Sequence, residues 1–99
     1  MGKRQSFTAE FKHESALLIL EQHYTVKDAC RAMGVGETAM RRWVKQLQAE
    51  RNGHTPMGAR AITPDQQTIQ DLQKQIRKLE REKDILKKAS ALLMLDNYH

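Results

Sequence analysis

Apolar residues recur along the C-terminal third of the chain in alternating steps of three and four: Ile69, Leu72, Ile76, Leu79, then Lys83, Leu86, Ser90 and Leu93. This spacing is a heptad seam. Ile69, Ile76, Lys83 and Ser90 take one core position; Leu72, Leu79, Leu86 and Leu93 take the other. β-branched residues at the first position and Leu at the second predict a parallel two-stranded coiled coil. The competing reading is one amphipathic helix folding back on the rest of the chain. Strict alternation over the whole stretch favours the coil. Lys83 weakens the seam locally while helping to fix register, and Glu82 and Lys87 flank it as an interhelical pair. After Leu86 the apolar stripe broadens through Ala89, Ala91, Leu92 and Met94, a surface suited to a further partner or a higher oligomer.

The N-terminal half has a different pattern. Thr8 caps a helix to about Gln22, with Phe11, Leu18 and Ile19 inward. Thr25 caps a second helix, with Asp28 close to a capping-box position, and Gly34 ends that helix after Met33. Val35 and Gly36 complete a turn, and a third helix is predicted from Glu37 to Arg51. Cys30, Gly34, Val35, Met40 and Trp43 have the spacing of a helix-turn-helix: a small residue at the crossing, a turn Gly, an apolar residue after it, and two inner-face residues three apart. From Asn52 to Ile62 no apolar period appears, and Gly53, Pro56 and Gly58 mark a flexible linker. Thr63-Pro64 opens the last helix, with Gln66 placed to close a capping box. A helix from Pro64 to Leu93 would extend roughly 45 Å. The expected fold is all-α: a helix-turn-helix domain over 7–52, a linker over 53–62 and a zipper helix over 63–94.

Charge sharpens this picture only through its placement. Net charge is +5 in 99 residues, and the pI is near 9.6, which suits a polyanionic partner. Residues 1–54 hold nine Lys/Arg against six Asp/Glu and the remainder eight against six, so neither half is the basic one. On the outward face of the third helix, Glu37 and Thr38 lie at the end that meets base edges, followed by Arg41, Arg42 and Lys45. Arg can donate bidentate bonds to guanine, and Thr38 can meet a base methyl or a phosphate. Lys45, Arg31, and Lys3 and Arg4 in the N-terminal arm are phosphate candidates. The bland alternative is a solvated face. Trp43 and Cys30, by contrast, sit in core slots.

Other chemistry finds little support. One cysteine, Cys30, excludes an internal disulfide and a cysteine-based zinc site, and fits a reducing cytoplasm. No apolar run has the length of a membrane span, and the opening residues lack a signal peptide's apolar stretch. His13, His23, His54 and His99 lack ligand spacing. Ser6, Ser15 and Ser90 have no nucleophile context. No acidic triad on a sheet is expected. Gly34-Val-Gly36-x-x-Ala39 fits a loose dinucleotide fingerprint but follows a helix, where the fingerprint needs a strand. The expected protein has no catalytic residues, no cofactor and no metal.

TAEFK at Thr8–Lys12, AMGVG at Ala32–Gly36, RWVKQL at Arg42–Leu47, ITP at Ile62–Pro64 and ILKKASALLM at Ile85–Met94 together resemble the OrfA proteins of bacterial insertion sequences of the IS-three family. The likeness runs from about Phe7 to Met94. It implies a helix-turn-helix and leucine zipper encoded by an upstream reading frame, joined by frameshifting to a downstream frame with an acidic catalytic domain. It further implies binding to double-stranded DNA at terminal inverted repeats, homo-oligomers, hetero-oligomers with the fused transposase, and regulation of transposition in the bacterial cytoplasm at the nucleoid. The recognition helix would carry Arg41, Arg42 and Lys45, with Trp43 in the core, and Leu86-Lys87-Lys88 falls where such elements often slip frame. Lys83 departs from the amide-type residue expected at its slot. Two other classes compete: a cellular dimeric transcription regulator built the same way, and a scaffold whose basic face is only solvation.

Overall fold

In a computed structural model of the chain, residues 6–96 are described, with side chains to Met94. Lys3 and Arg4 lie outside that range. The described residues form four helices and no strand: α1 (Ala9–Leu20), α2 (Val26–Met33), α3 (Glu37–Arg51) and α4 (Pro64–Asp96). The expected all-α class is the observed one. The chain divides into two units, Met1–Gln67 and Thr68–His99.

Local chemistry sets the N-terminal boundaries. The Thr8 hydroxyl accepts from the Phe11 N–H at 3.1 Å, and the Thr25 hydroxyl accepts from the Asp28 N–H at 3.1 Å. Gly34 takes φ +70°, where a Cβ is costly. Its N–H and that of Val35 both donate to the Cys30 carbonyl, at 2.8 and 3.1 Å, closing α2. Helix α1 stops at Leu20, two residues before the expected end. The cause is His23, at φ +63°, which turns the chain so that the Tyr24 N–H reaches the Leu18 carbonyl at 2.9 Å. A non-glycine residue in the left-handed region gives no composition signal.

The three short helices enclose a core of Ala16, Ala29, Cys30, Met40, Trp43, Leu47 and Ile62. Ala16 and Ala29 have no exposed surface, so the helices meet over small side chains. Ser15 is also fully buried, its hydroxyl donating to the Phe11 carbonyl at 2.7 Å. Trp43 takes the edge-to-face geometry that aromatic rings prefer, against Phe7 at 5.1 Å and Phe11 at 6.0 Å between centroids.

Ile62 belongs to this core, and here the structure differs from the sequence reading. Residues 53–62 form neither helix nor strand, yet Ala61 and Ile62 are buried, so the end of this segment is anchored where a flexible linker was expected. The anchor is Glu50, on the last turn of α3 and only 4% exposed. One carboxylate oxygen accepts from the Ile62 N–H (3.1 Å), the Thr63 N–H (2.9 Å) and the Thr63 hydroxyl (2.7 Å). The other accepts from the Ile62 N–H (3.0 Å) and the Gln46 amide (2.7 Å). Gln46 also donates to the Arg60 carbonyl at 2.8 Å. Glu50 thus satisfies the Thr63 N–H that a capping box would have given to Gln66. The Gln66 side chain instead accepts from the Thr55 hydroxyl at 3.1 Å, while its N–H donates to Thr63 Oγ1 at 3.4 Å.

Burial alone would push the Glu50 carboxyl up. The Ile62 N–H, the Thr63 hydroxyl, the Gln46 amide and the Thr63 N–H outweigh it and hold the carboxyl below its ordinary value. A folded value below the unfolded one contributes stability that is present above the unfolded value and lost as pH falls through the folded one. Protection of the Ile62 and Thr63 amides, relative to their intrinsic exchange rates, is expected to be high at neutral pH and to fall through that acid window. Glu50→Gln should cost about 2–3 kcal/mol at neutral pH, as expected for charged hydrogen bonds lost at a buried site, with the difference from wild type narrowing in acid. Unchanged exchange in the variant would remove Glu50 as the anchor.

Candidate nucleic-acid interface

The inner face of α3 is Met40, Trp43, Leu47 and Glu50, all buried. Helical period then forces the rest of the turn outward. Glu37, Thr38, Arg41, Arg42, Lys45 and Gln48 are all exposed, and they span an arc of roughly 140° at 100° per residue. Val35 and Ala39 pack against the core and seat the start of α3 on α2. Gly36 caps α3 without a side-chain hydrogen bond.

Five of the eight residues singled out from the sequence therefore share one surface. Arg31 is exposed on the last turn of α2, a different element, and Lys3 and Arg4 fall outside the described residues. Arg41 and Lys45 line a shallow depression with Val26, Val44 and Gln48. Gln48 was missed by the sequence reading, although it stands three residues after Lys45 and seven after Arg41, on the same face. Its amide has the donor and acceptor pair that suits adenine. Beneath this surface Cys30 is buried. Desolvation and the Glu37 carboxylate push its thiol up against the opposite pull of Arg41, which suits packing and not nucleophilic chemistry. Among the described residues no group of three His, Cys, Asp or Glu is placed to hold a metal ion, and no helix is long and apolar enough to cross a membrane.

A protein-family profile described as Transposase, HTH_Tnp_1, matches residues 1–83. The chain is 53% identical over 88 residues to transposase InsN of insertion element IS911A from Escherichia coli K12, covering 89% of this chain and 65% of that protein. It is 52% identical over 86 residues to InsN of IS911B from the same organism, covering 87% of this chain and 97% of that one. An 11 kDa protein of insertion element IS600 from Shigella sonnei is 29% identical over 89 residues, 90% of this chain and 86% of its own. The chain belongs to this helix-turn-helix transposase family, as an OrfA-type protein of the IS-three insertion sequences. It spans just under two thirds of the IS911A relative and nearly all of the IS911B one. No solved structure matches it.

Within this transposase domain the outward face has one internal contact. The Arg41 guanidinium meets the Glu37 carboxylate at 3.3 Å, one helical turn back. Both side chains are well exposed, so such a pair adds at most about 0.5 kcal/mol to the helix. Its larger consequence is for recognition. The carboxylate puts negative charge on the face and holds one of its cations, so an anionic ligand reaching Arg41 would have to offer it a better acceptor. Glu37→Gln is expected to leave folding nearly unchanged and to raise affinity for scrambled duplex several-fold more than for a specific site. Equal affinities before and after, measured by anisotropy titration, would mean that Glu37 does not restrain Arg41.

Proposed function

We propose that the chain is the DNA-binding, oligomerising and non-catalytic subunit of an insertion-sequence transposase system. Its α3 face binds the element's terminal inverted repeats, and its α4 seam joins copies of the chain. The observation that carries this reading is the set of cations Arg41, Arg42 and Lys45, held outward by the burial of Met40, Trp43 and Leu47 on the opposite side of the same helix. Arg41 and Arg42 read base edges, Thr38 meets a methyl or phosphate, and Lys45, Arg31, Lys3 and Arg4 hold phosphate. Glu37 modulates Arg41.

The seam supports the second half. Every described side chain from Asp71 to Met94 is exposed, including Leu72, Ile76, Leu79, Leu86 and Leu93, and Ile69 before them is 41% exposed. A second copy in parallel register would bury the seam. Lys83 then faces its own counterpart, which lowers the strength of self-association; a longer, fused transposase sharing the seam is a further partner. Through that association the subunit regulates transposition.

The direct test is binding to a duplex carrying the terminal repeat against scrambled duplex at physiological salt. Arg42→Ala is expected to lose about 1–3 kcal/mol of affinity for the repeat if it reads a base. An equal loss on both duplexes would assign it to phosphate. Leu79→Lys should shift the protein towards monomer in sedimentation, with its helix content kept under conditions that favour helix. Wild-type association by that variant would disprove the seam, and wild-type protein without preference for the repeat would disprove the end-binding role.

A further inference from the structure

Helix α4 carries a second ordered surface that the seam leaves unused. Lys74, Arg77, Lys78 and Arg81 are spaced i, i+3, i+4 and i+7, so they fall on one face. They lie on the side of the helix away from Ile76, Leu79 and Lys83. All four are exposed, and they surround one shallow depression with Asp71 and Gln75. Among the described residues, the ion pairs are Arg41–Glu37, Arg51–Glu21 and Lys88–Asp84, so none of these four cations is spent on a carboxylate. Lys88 extends the stripe one heptad beyond Arg81 but is held by Asp84 at 3.1 Å. Between Lys74 and Arg81 the only acidic residue is Glu80, which lies towards the seam.

We propose that this stripe is a second, sequence-independent contact for the phosphate backbone of duplex DNA. The inference rests on the DNA-binding reading above. Four unpaired cations over about two turns, roughly 10 Å of helix, face a polymer carrying one negative charge per about 1.7 Å of its axis. Coiled-coil pairing places the stripe outermost, so dimerisation buries the seam and leaves the cations free. Such contacts carry no sequence information: they add affinity to any duplex near the site read by α3. An acidic protein would meet the same charges. DNA is favoured because the chain already presents a DNA-reading face and the stripe is linear, as a phosphate row is.

The test uses the full chain with Lys74→Gln, Arg77→Gln, Lys78→Gln and Arg81→Gln combined, substitutions that keep helix propensity and leave the seam intact. Affinity is measured for repeat and scrambled duplexes across a salt series. The expected result is a loss by the same factor on both duplexes, with the slope of log affinity against log salt shallower by about 2–4. Circular dichroism and sedimentation should match wild type. If they do not, the pair Lys74→Gln and Arg81→Gln gives the same reading with half the change. Unchanged affinity and slope would overturn the proposal, whether the stripe then serves an acidic protein or only solvent. A loss confined to the repeat duplex would overturn it too. Wild-type protein that binds neither duplex would instead sink the DNA-binding reading itself.

Discussion

One stripe of α3 organises the N-terminal unit. Met40, Trp43 and Leu47 fill the space between α1 and α2, and Glu50 continues the same stripe into the end of the helix. Because the side chains of a helix are locked to its period, burying this stripe turns Thr38, Arg41, Arg42 and Lys45 outward with no further interaction needed to aim them. The aromatic contacts of Trp43 with Phe7 and Phe11 matter for the same reason. A rotation of α3 by one residue would bury cations and expose the indole, a change opposed by both desolvation and lost packing.

Glu50 extends this logic from packing to polar chemistry. A carboxylate at the edge of a core is costly unless its lone pairs are filled. Here the donors come from the segment that must be held: two backbone N–H groups and a hydroxyl at Ile62 and Thr63, joined by Gln46 from α3 itself. No buried side-chain polar atom among the described residues lacks a partner. The first turn of α4 therefore belongs to the N-terminal unit, which ends at Gln67. The following unit has a different energetic status. An isolated helix stripped of tertiary contacts is marginal in water, and the proposed pairing of its apolar seam would supply the missing stability.

The parts of the fold that were legible in the sequence are those governed by local rules. Thr8 and Thr25 as caps, Gly34 as the stop of α2 and Pro64 as the start of α4 each follow from residues within a turn of one another, and Trp43 in the core follows from the motif spacing that begins at Cys30. Long-range pairs were not legible. Nothing about Glu50 in isolation distinguishes it from the exposed Glu21, since the donors of the anchored segment lie 12 and 13 residues away. The apolar pair Ala61-Ile62 is too short to show a period, so its anchoring was invisible. Of the candidate site, the outward face of α3 was readable because it is the complement of the inner one. Its internal arrangement was less so: the Arg41–Glu37 pair was not anticipated, and Gln48 was overlooked although the same period points to it.

Charge placement explains why the two surfaces of α4 need not compete. A coiled coil requires apolar or tolerable residues at the inner positions and solubility outside, and any charged residue would meet the second demand. The outer face instead concentrates four cations between Lys74 and Arg81, with Asp71 one turn before them and Glu80 towards the seam. Such clustering is unfavourable for the free helix, because like charges one turn apart repel. A polyanion relieves that repulsion, while a mixture of signs would have given the same solubility without it. The cost in the free helix is therefore more economically explained by a bound phosphate backbone than by solvation.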